Sequence, residues 1–323
     1  MSNMGDMGDM GDMGDVGAMG AAGASSSGGF LSDRIDLPFV DATADVVWIR
    51  TAPGEWTCTK PETSIKTVRV PIDVWPDNQW SANWKAWHIV AEFAASGWQD
   101  RIMLDLWKHD KQDQELEDLI KFAEDERPDA LGEILAQNSS YQDFMAYFVA
   151  LLKVSPRSHP YTFQLLHAAG LVGILVAIYF KQWPGKNHPQ GSEEASRPAR
   201  ARASQICPAL MPPVPVPGHP SFPSGHATQS MLMALCAGEA TQNQHVSDTD
   251  TTPVWRSSLQ ALSRRIGHNR EIAGLHFPSD TRAGFQLARQ TFDILDEGPL
   301  FASLLDAATK EWPELPPQSS NAS

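Results

Sequence analysis

The longest apolar stretch of the chain covers residues 168–180 and contains no charged or amide side chain over its 13 residues. As an α-helix it would be roughly 20 Å long at about 1.5 Å per residue, which is shorter than the ~20 apolar residues that a bilayer requires. It therefore predicts a buried core helix rather than a membrane span. Pro160 opens this helix, and Pro184-Gly185 ends it after about Trp183.

Further helices are predicted wherever apolar residues recur at a helical period. Ser81 is a suitable N-cap for the first of them. The others follow the apolar stripes of residues 116–123 and 144–151, or span residues 225–238, 253–266 and about 278–295. The predicted fold class is all-α.

Composition divides the chain into four segments. Residues 1–29 are almost entirely Met, Gly, Asp, Ala and Ser, which predicts a disordered low-complexity tail. Residues 30–80 are rich in Pro and Trp and are expected to form an irregular N-terminal wrap, with a strand pair from the β-branched runs at 46–49 and 67–70. The helical domain is predicted over 81–310, followed by a frayed tail over 311–323.

Charge and cysteine content restrict the partners of the protein. The chain has 25 Lys and Arg against 39 Asp and Glu, a net charge of −14, which argues against nucleic acid or an anionic membrane as a partner. Three scattered cysteines indicate a reducing compartment. The N-terminus also lacks a basic region followed by an apolar one, so we expect a cytoplasmic protein that acts on small molecules. A homodimer is compatible with the sequence, although no feature requires one.

Basic residues are concentrated between Lys181 and Arg202. Five of them face only two acids in this stretch, although the protein is acidic as a whole. Such a stretch is either a solvated positive loop or part of an anion-binding site. The segments that follow favour the anion site.

The segment around Ser224 reads Pro-Ser-Gly-His. Pro223 is expected in the first turn of a helix, where proline loses no hydrogen bond. Ser224 and Gly225 then offer a hydroxyl and an unobstructed amide at a helix N-terminus, which favours a phosphate-like oxyanion. His226 lies at the rim of that site, and its imidazole is suited to proton transfer near neutral pH.

A third cluster contains Arg270, then His276 six residues later, then Asp280 four residues after that. A guanidinium can bind an oxyanion, and an imidazole can attack or ligate its central atom. A carboxylate one helical turn away can orient the imidazole ring. The three clusters, in this order, predict one oxyanion-processing site.

These motifs resemble those of the superfamily that contains the vanadium-dependent haloperoxidases and the type 2 phosphatidic acid phosphatases. The resemblance covers residues from about 160 to 295, and the second and third motifs are intact. It implies a helical-bundle core of the haloperoxidase and acid phosphatase type. It assigns oxyanion binding to Ser224, the Gly225 amide and Arg270, acid–base catalysis to His226, and bonding of the central atom to His276, with Asp280 orienting that ring.

The first motif departs from the family pattern of a lysine followed seven residues later by Arg-Pro. Arg202 is followed by alanine, and Ala195 stands where the lysine should be. We favour Lys181, which ends the apolar helix as the family lysine does, although its distance of 21 residues from Arg202 is 14 longer than the pattern. Lys186 is the alternative to Lys181, and Arg197, which is followed by proline, is the alternative to Arg202.

The resemblance implies two reactions for one pocket. A haloperoxidase would hold vanadate with His276 as its protein ligand and use hydrogen peroxide to oxidise halide to hypohalous acid. A phosphatase would hydrolyse phosphomonoesters through a phosphohistidine. Ala227 directly after His226 is typical of haloperoxidases, and the expected lack of a secretory signal and of membrane helices also favours them. A non-catalytic oxyanion-binding protein is the third alternative, because the first motif is altered.

His219 lies seven residues before His226. In haloperoxidases of this kind the matching residue tends to be histidine where bromide is preferred and phenylalanine where chloride is oxidised. His219 therefore predicts a preference for bromide. Alternatively, His219 simply lies in a turn between Gly218 and Pro220.

Overall fold

The computed structural model describes residues 48–52, 55–58, 81–247 and 250–313. These residues form an all-α fold, as predicted, with two short antiparallel strand pairs. The helices are α1 (Ala82–Ala94), α2 (Gln112–Asp125), α3 (Arg127–Ala136), α4 (Tyr141–Leu152), α5 (Pro160–Gln182), α6 (Ala203–Ile206), α7 (Gly225–Ala240), α8 (Val254–Ile272), α9 (Pro278–Leu295) and α10 (Pro299–Thr309). The strands are β1 (Trp48–Ala52), β2 (Glu55–Cys58), β3 (His245–Ser247) and β4 (Asp250–Pro253).

The chain divides into two units between Pro76 and Asp77. Within the described residues the first unit contributes only the β1–β2 pair, in which Trp48 pairs with Cys58. The predicted strand at 46–49 thus overlaps β1. The predicted strand at 67–70, the tail over 1–29, most of the wrap over 30–80 and nearly all of the tail over 311–323 lie outside the described residues.

Helix α7 lies at the centre of the second unit, where it packs against α5, α8 and α9. Almost every side chain of α7 is buried, from Ala227 at its start to Ala240 at its end. Helices α1 and α10 pack on α5. Because α5 has no polar face over most of its length, it needs neighbours on several sides, and these helices provide them.

Helix α5 is longer than the apolar stretch that led to its prediction. It has 23 residues, and by length and composition it could cross a membrane, with a mean hydropathy of 1.9 over its most apolar window. In the fold, 72% of that window is buried by other parts of the protein. The predicted bounds, from Pro160 to about Trp183, agree with those of α5, and the prediction of a buried helix agrees with the packing. The length argument against a membrane span considered only the 13 apolar residues and not the whole helix.

The crossing of α7 and α9 depends on Gly284. A Cβ atom at this position would lie 2.7 Å from the Ser224 carbonyl oxygen and 2.9 Å from the Ala227 Cβ atom. Both distances are too short for a real side chain. Glycine therefore allows α9 to approach the N-terminal turn of α7, which carries the Pro-Ser-Gly-His motif.

Two differences from the predicted helices affect the site. Helix α8 continues to Ile272 rather than ending near Ile266, which places Arg270 in its last turn. Helix α3 was not predicted, because Ile134 is its only buried side chain and its apolar stripe is weak. The residues directly after α3 contact the candidate site.

Candidate active site

Five segments of the chain meet at one place, and only the last two of them are consecutive. They are the end of α5, the segment before α6, the start of α7, the end of α8 and the turn from α8 into α9. The Ser224 amide donates to the Asp280 carbonyl oxygen at 3.0 Å, which ties α7 to α9. The residues singled out from the sequence lie on or beside these segments: Lys181, Arg202, His219, Ser224, Gly225, His226, Arg270, His276 and Asp280.

The N-terminus of α7 presents hydrogen-bond donors. Ser224 is the N-cap, and its Oγ accepts the Ala227 amide at 3.4 Å, so its hydroxyl hydrogen is available to a ligand. The first amides of a helix have no partner within the helix, and a Cβ atom on Gly225 would meet nothing within 4 Å. Pro223 precedes the N-cap, so its predicted place in the first turn was wrong. The helix start therefore forms an open cradle that favours an anion.

Arg270 supplies buried donors without a protein partner. Its Nη2 donates to the Asn138 Oδ1 at 3.1 Å. Its Nε and Nη1 are buried, and no described residue accepts a hydrogen bond from them. Burial, together with the charge of Arg202, lowers the pKa of Arg270 to about 10, so the guanidinium remains charged at neutral pH. Buried donors of this kind are costly unless a ligand satisfies them.

Arg202 lies between His219 and His276. Its Nη2 is 3.0 Å from the His219 Nδ1, and its Nη1 is 3.3 Å from the His276 Nε2. Burial lowers the pKa of Arg202 to about 10. The alternative residue, Arg197, instead pairs with Glu193 at 3.1 Å. The structure thus brings Arg202 to the site.

Lys181 is directed at the backbone rather than at an open space. Its Nζ donates to the carbonyl oxygens of Pro220, Ser221 and Pro223 at 2.8, 3.0 and 2.7 Å. Burial, with the charge of Arg202 added, lowers the pKa of Lys181 well below its ordinary value. The ammonium group has three hydrogens, so these carbonyls account for all of them. The alternative residue, Lys186, pairs with Asp100 at 3.0 Å at the surface.

The His276 ring lies between Arg202 and Asp280. A guanidinium can only donate, so its contact with the His276 Nε2 assigns the lone pair to that nitrogen. The proton then lies on Nδ1, which is 3.5 Å from the Asp280 Oδ2. Burial lowers the pKa of His276 well below its ordinary value, and the nearby cations add to this, whereas Asp280 opposes it. His276 is therefore a neutral ring with a nucleophilic or ligating Nε2.

Asp280 is fixed by several donors besides His276. Its Oδ1 accepts from the Arg200 Nη1 at 2.7 Å, and its Oδ2 accepts from the Ser221 hydroxyl and from the Phe277 amide. Burial favours the neutral carboxyl, but the His276 hydrogen bond and the Arg200 charge outweigh it, so the pKa of Asp280 lies well below its ordinary value. Asp280 is therefore a charged, oriented carboxylate.

His226 has one ring nitrogen committed to the protein. Its Nε2 is 2.8 Å from the Gln137 carbonyl oxygen, which can only accept, so this nitrogen carries a proton. The ring also packs against Phe144, with centroids 5.0 Å apart. Burial, followed by the charge of Arg270, lowers the pKa of His226 well below its ordinary value. The Nδ1 of the neutral ring is then a base for a proton in the site.

Several residues of the site had no assigned role in the sequence. Gln137 and Asn138 follow α3 and contact His226 and Arg270. No sequence pattern marks them. Arg200 was visible as part of the basic stretch, but its pairing with Asp280 was not.

The charges of the site are unbalanced toward the positive. Lys181, Arg202 and Arg270 are all buried here. Asp280, the carboxylate whose charge acts on Lys181 and Arg202, is already paired with Arg200. In a protein with a net charge of −14, this local excess of positive charge favours an anion of two or three charges.

The site lies within a segment that matches a known superfamily. Residues 160–291 match the family model of the PAP2 superfamily, which includes phosphatases and haloperoxidases. A comparison with curated proteins finds no significant match. The matched segment contains every residue that the sequence analysis assigned to the site.

Proposed function

We propose that the PAP2 superfamily domain of this chain is a vanadate-dependent haloperoxidase that uses hydrogen peroxide to oxidise halide, with bromide favoured, to hypohalous acid. The observation that carries the proposal is the contact of His219 with Arg202 at 3.0 Å, inside an anion site that also contains His276. His219 occupies the position that the sequence resemblance links to halide preference. Ala227 directly after His226 points to the same class of enzyme.

The residues of the site fit a tetrahedral oxyanion. The unpartnered Nε and Nη1 of Arg270 and the open cradle at Gly225 provide donors that lack an acceptor within the described residues. Arg202, Arg270, the Ser224 hydroxyl and the Gly225 amide would hold the oxygens of vanadate, and the His276 Nε2 would bind the metal. When bound, vanadate supplies the Lewis acidity that activates hydrogen peroxide toward halide.

The protein supplies orientation and proton transfer. Asp280 keeps the proton of His276 on Nδ1, so the lone pair lies on Nε2, where it accepts from the Arg202 Nη1 and would turn to the metal of a bound oxyanion. His226, held through its Nε2 by Gln137, would accept or return a proton at Nδ1. Lys181 contributes positive charge and holds the loop that leads into α7. As a direct oxyanion ligand, Lys181 would have to give up one of its three carbonyl partners.

The second candidate is hydrolysis of phosphomonoesters, which the lone pair on the His276 Nε2 supports. That nitrogen would attack phosphorus, and the bond from phosphorus to the ester oxygen would break. In the monoanion of the ester, the proton of the phosphate group would pass through the His226 Nδ1 to the leaving oxygen. Water would then cleave the bond between nitrogen and phosphorus, which regenerates His276 and releases phosphate.

We also propose a cytoplasmic protein with small-molecule substrates, namely peroxide and halide, or a phosphomonoester in the second case. The proposal includes neither nucleic acid nor a membrane as a partner, and a homodimer is compatible with it. It is supported by the net charge of −14 and by the three scattered cysteines.

The two reactions are tested side by side on the purified protein. One assay contains vanadate, hydrogen peroxide and bromide with a halogen acceptor, and the other contains a chromogenic phosphomonoester without vanadate. Halide oxidation that depends on vanadate supports the haloperoxidase. Ester hydrolysis without halide oxidation would replace it with the phosphatase. Neither activity, in a protein that still binds oxyanions, would identify a non-catalytic oxyanion-binding protein.

Oxyanion binding should raise the melting temperature through Arg270. Phosphate or vanadate at 100 times Kd stabilises a protein by about 2.7 kcal/mol, which corresponds to roughly 5–10 °C in a domain of this size. We expect this shift in the wild type and a much smaller one in Arg270→Ala. Arg264→Ala is the matched control, because Arg264 is exposed on the same helix. Equal shifts in the wild type and Arg270→Ala would exclude the assigned site.

Replacing His219 with phenylalanine should increase chloride oxidation relative to bromide oxidation. In the wild type, the Arg202 Nη2 donates to the His219 ring. Phenylalanine cannot accept this hydrogen bond, so the donor becomes free for the oxyanion. A hydrogen bond to a charged group is worth about 1.5 kcal/mol or more, which corresponds to about a tenfold change in the ratio of the two rates. Chlorination and bromination of a dimedone-type acceptor measure this ratio. Strong wild-type chlorination that the substitution does not alter would contradict the role of His219.

A further inference from the structure

A row of buried charges lies behind the catalytic pair of His276 and Asp280. Arg200 donates from Nη1 to the Asp280 Oδ1 at 2.7 Å and from Nη2 to the Glu115 Oε2 at 3.0 Å. All three of the charged side chains in this row are buried. A single guanidinium is thus shared by two carboxylates, one in the site and one outside it.

Aromatic rings confine the guanidinium of Arg200. Its central carbon lies 3.7 Å from the centroid of the Phe277 ring and 5.3 Å from that of Trp107. Its Nη1 also donates to the Ser279 hydroxyl at 2.7 Å. Because Arg200 is buried and stacked, it has no access to water as an alternative partner. Its position is therefore decided by the two carboxylates.

Glu115 is itself anchored at the start of α9. Its Oε1 accepts the Ser279 amide at 2.7 Å, and its Oε2 accepts the Ser279 hydroxyl at 2.7 Å. Its Oε1 also accepts from Arg282 at 3.2 Å. Ser279 directly precedes Asp280 in the chain. Glu115 therefore holds both the guanidinium that contacts Asp280 and the backbone that carries it.

The orientation of Asp280 depends on how this charge is shared. Its contact with the His276 Nδ1 is already long at 3.5 Å, whereas its contact with Arg200 is short at 2.7 Å. Without Glu115, Asp280 would be the only carboxylate in contact with Arg200. A buried ion pair in a medium of low dielectric constant tightens when a competing anion is removed. The carboxylate would then be drawn toward Arg200 through Oδ1, against the hydrogen bonds that Ser221 and Phe277 donate to Oδ2, and its contact with His276 would lengthen.

We propose that Glu115 is a positioning residue that acts through Arg200 to keep the Asp280 Oδ2 facing the His276 Nδ1. The effect on turnover rests on the proposed function, whereas the effect on the His276 ring does not. Glu115 contacts neither of the two histidines of the site within the described residues. Its influence on the reaction is therefore indirect.

The test compares Glu115→Gln with two control variants. Arg282→Gln removes one partner of Glu115 without touching Arg200, and its side chain is 70% exposed. Glu117→Gln makes the same charge change two residues along, at an exposed position of α2. The first readout is the ¹⁵N spectrum of histidine-labelled protein without any ligand, with the His276 signals assigned by means of His276→Gln. This readout does not depend on either proposed reaction.

We expect the wild type and both controls to hold the His276 proton on Nδ1. Glu115→Gln should show a mixture of the two ring tautomers. In whichever assay is active, it should lower kcat about tenfold while KM changes less than twofold. An unchanged tautomer in a folded Glu115→Gln protein would overturn the proposal, even if its stability falls. If that variant does not fold, the same spectrum is recorded for Glu115→Asp. A mixture of the two His276 tautomers would support the proposal, and a spectrum like that of the wild type would overturn it.

Discussion

Replacing His276 with alanine is expected to abolish turnover, and replacing His226 with alanine is expected to reduce it by about 10²–10⁴-fold. The two rings have different roles. The His276 Nε2 lone pair would bond to the central atom of the oxyanion, and the ring is held for this by Arg202 on one side and Asp280 on the other. His226 would only transfer a proton. Steady-state rates in the active assay measure both effects.

Oxyanion binding separates these roles further. His226→Ala should bind phosphate with an affinity close to that of the wild type, because Arg270 and the start of α7 are intact. His109→Ala serves as the control, since His109 is exposed and away from the motifs. Full turnover in either of the two active-site variants would contradict the roles assigned here.

Lys181→Met is expected to destabilise the fold and to weaken oxyanion binding together. The methionine cannot donate, so the carbonyl oxygens of Pro220, Ser221 and Pro223 would lose their shared partner. An unsatisfied buried acceptor costs about 1–3 kcal/mol. Because the substitution also removes a buried charge, which offsets part of this cost, we expect the free energy of unfolding to fall by about 3 kcal/mol. Urea denaturation measures this change.

The matched control for Lys181 is Lys186→Met. Lys186 was the alternative in the sequence, and its ion pair with Asp100 lies at the surface. We expect this variant to keep the wild-type unfolding midpoint and phosphate affinity, because surface ion pairs contribute little. If Lys181→Met matched Lys186→Met in both measurements, Lys181 would have no supporting role in the loop before α7.

Local sequence patterns predicted most of the helices. An apolar stretch bounded by prolines located α5, and periodic stripes located α2 and α4, because these signals depend on residues only a few positions apart. Ser224 and Gly225 were predictable for the same reason, because the residues that would bind the oxyanion are also the residues that begin α7. The end of α8 was placed six residues too early, since the last turn of that helix carries polar residues of the site.

Local sequence patterns could not predict the contacts that orient the side chains of the site. Arg200 pairs with Asp280 across 80 residues of sequence, and Asn138 contacts Arg270 across 132 residues. No short-range signal marks either pair, because the local sequence around a polar residue does not show whether its side chain is exposed in a loop or buried in a hydrogen-bond network. The direction of the Lys181 ammonium is a similar case. A lysine at the end of a helix gave no indication of which acceptors would surround it.

Gly284 shows where the site is vulnerable to change. This residue has no side chain and no role in binding or proton transfer, yet a methyl group there would collide with the Ser224 carbonyl oxygen and with Ala227. Ser224 would have to move, and the donors at the start of α7 would move with it. A mutational scan that ranks positions by lost activity would therefore place Gly284 among the catalytic residues. A residue of this protein can thus be essential for activity although it neither binds the oxyanion nor transfers a proton.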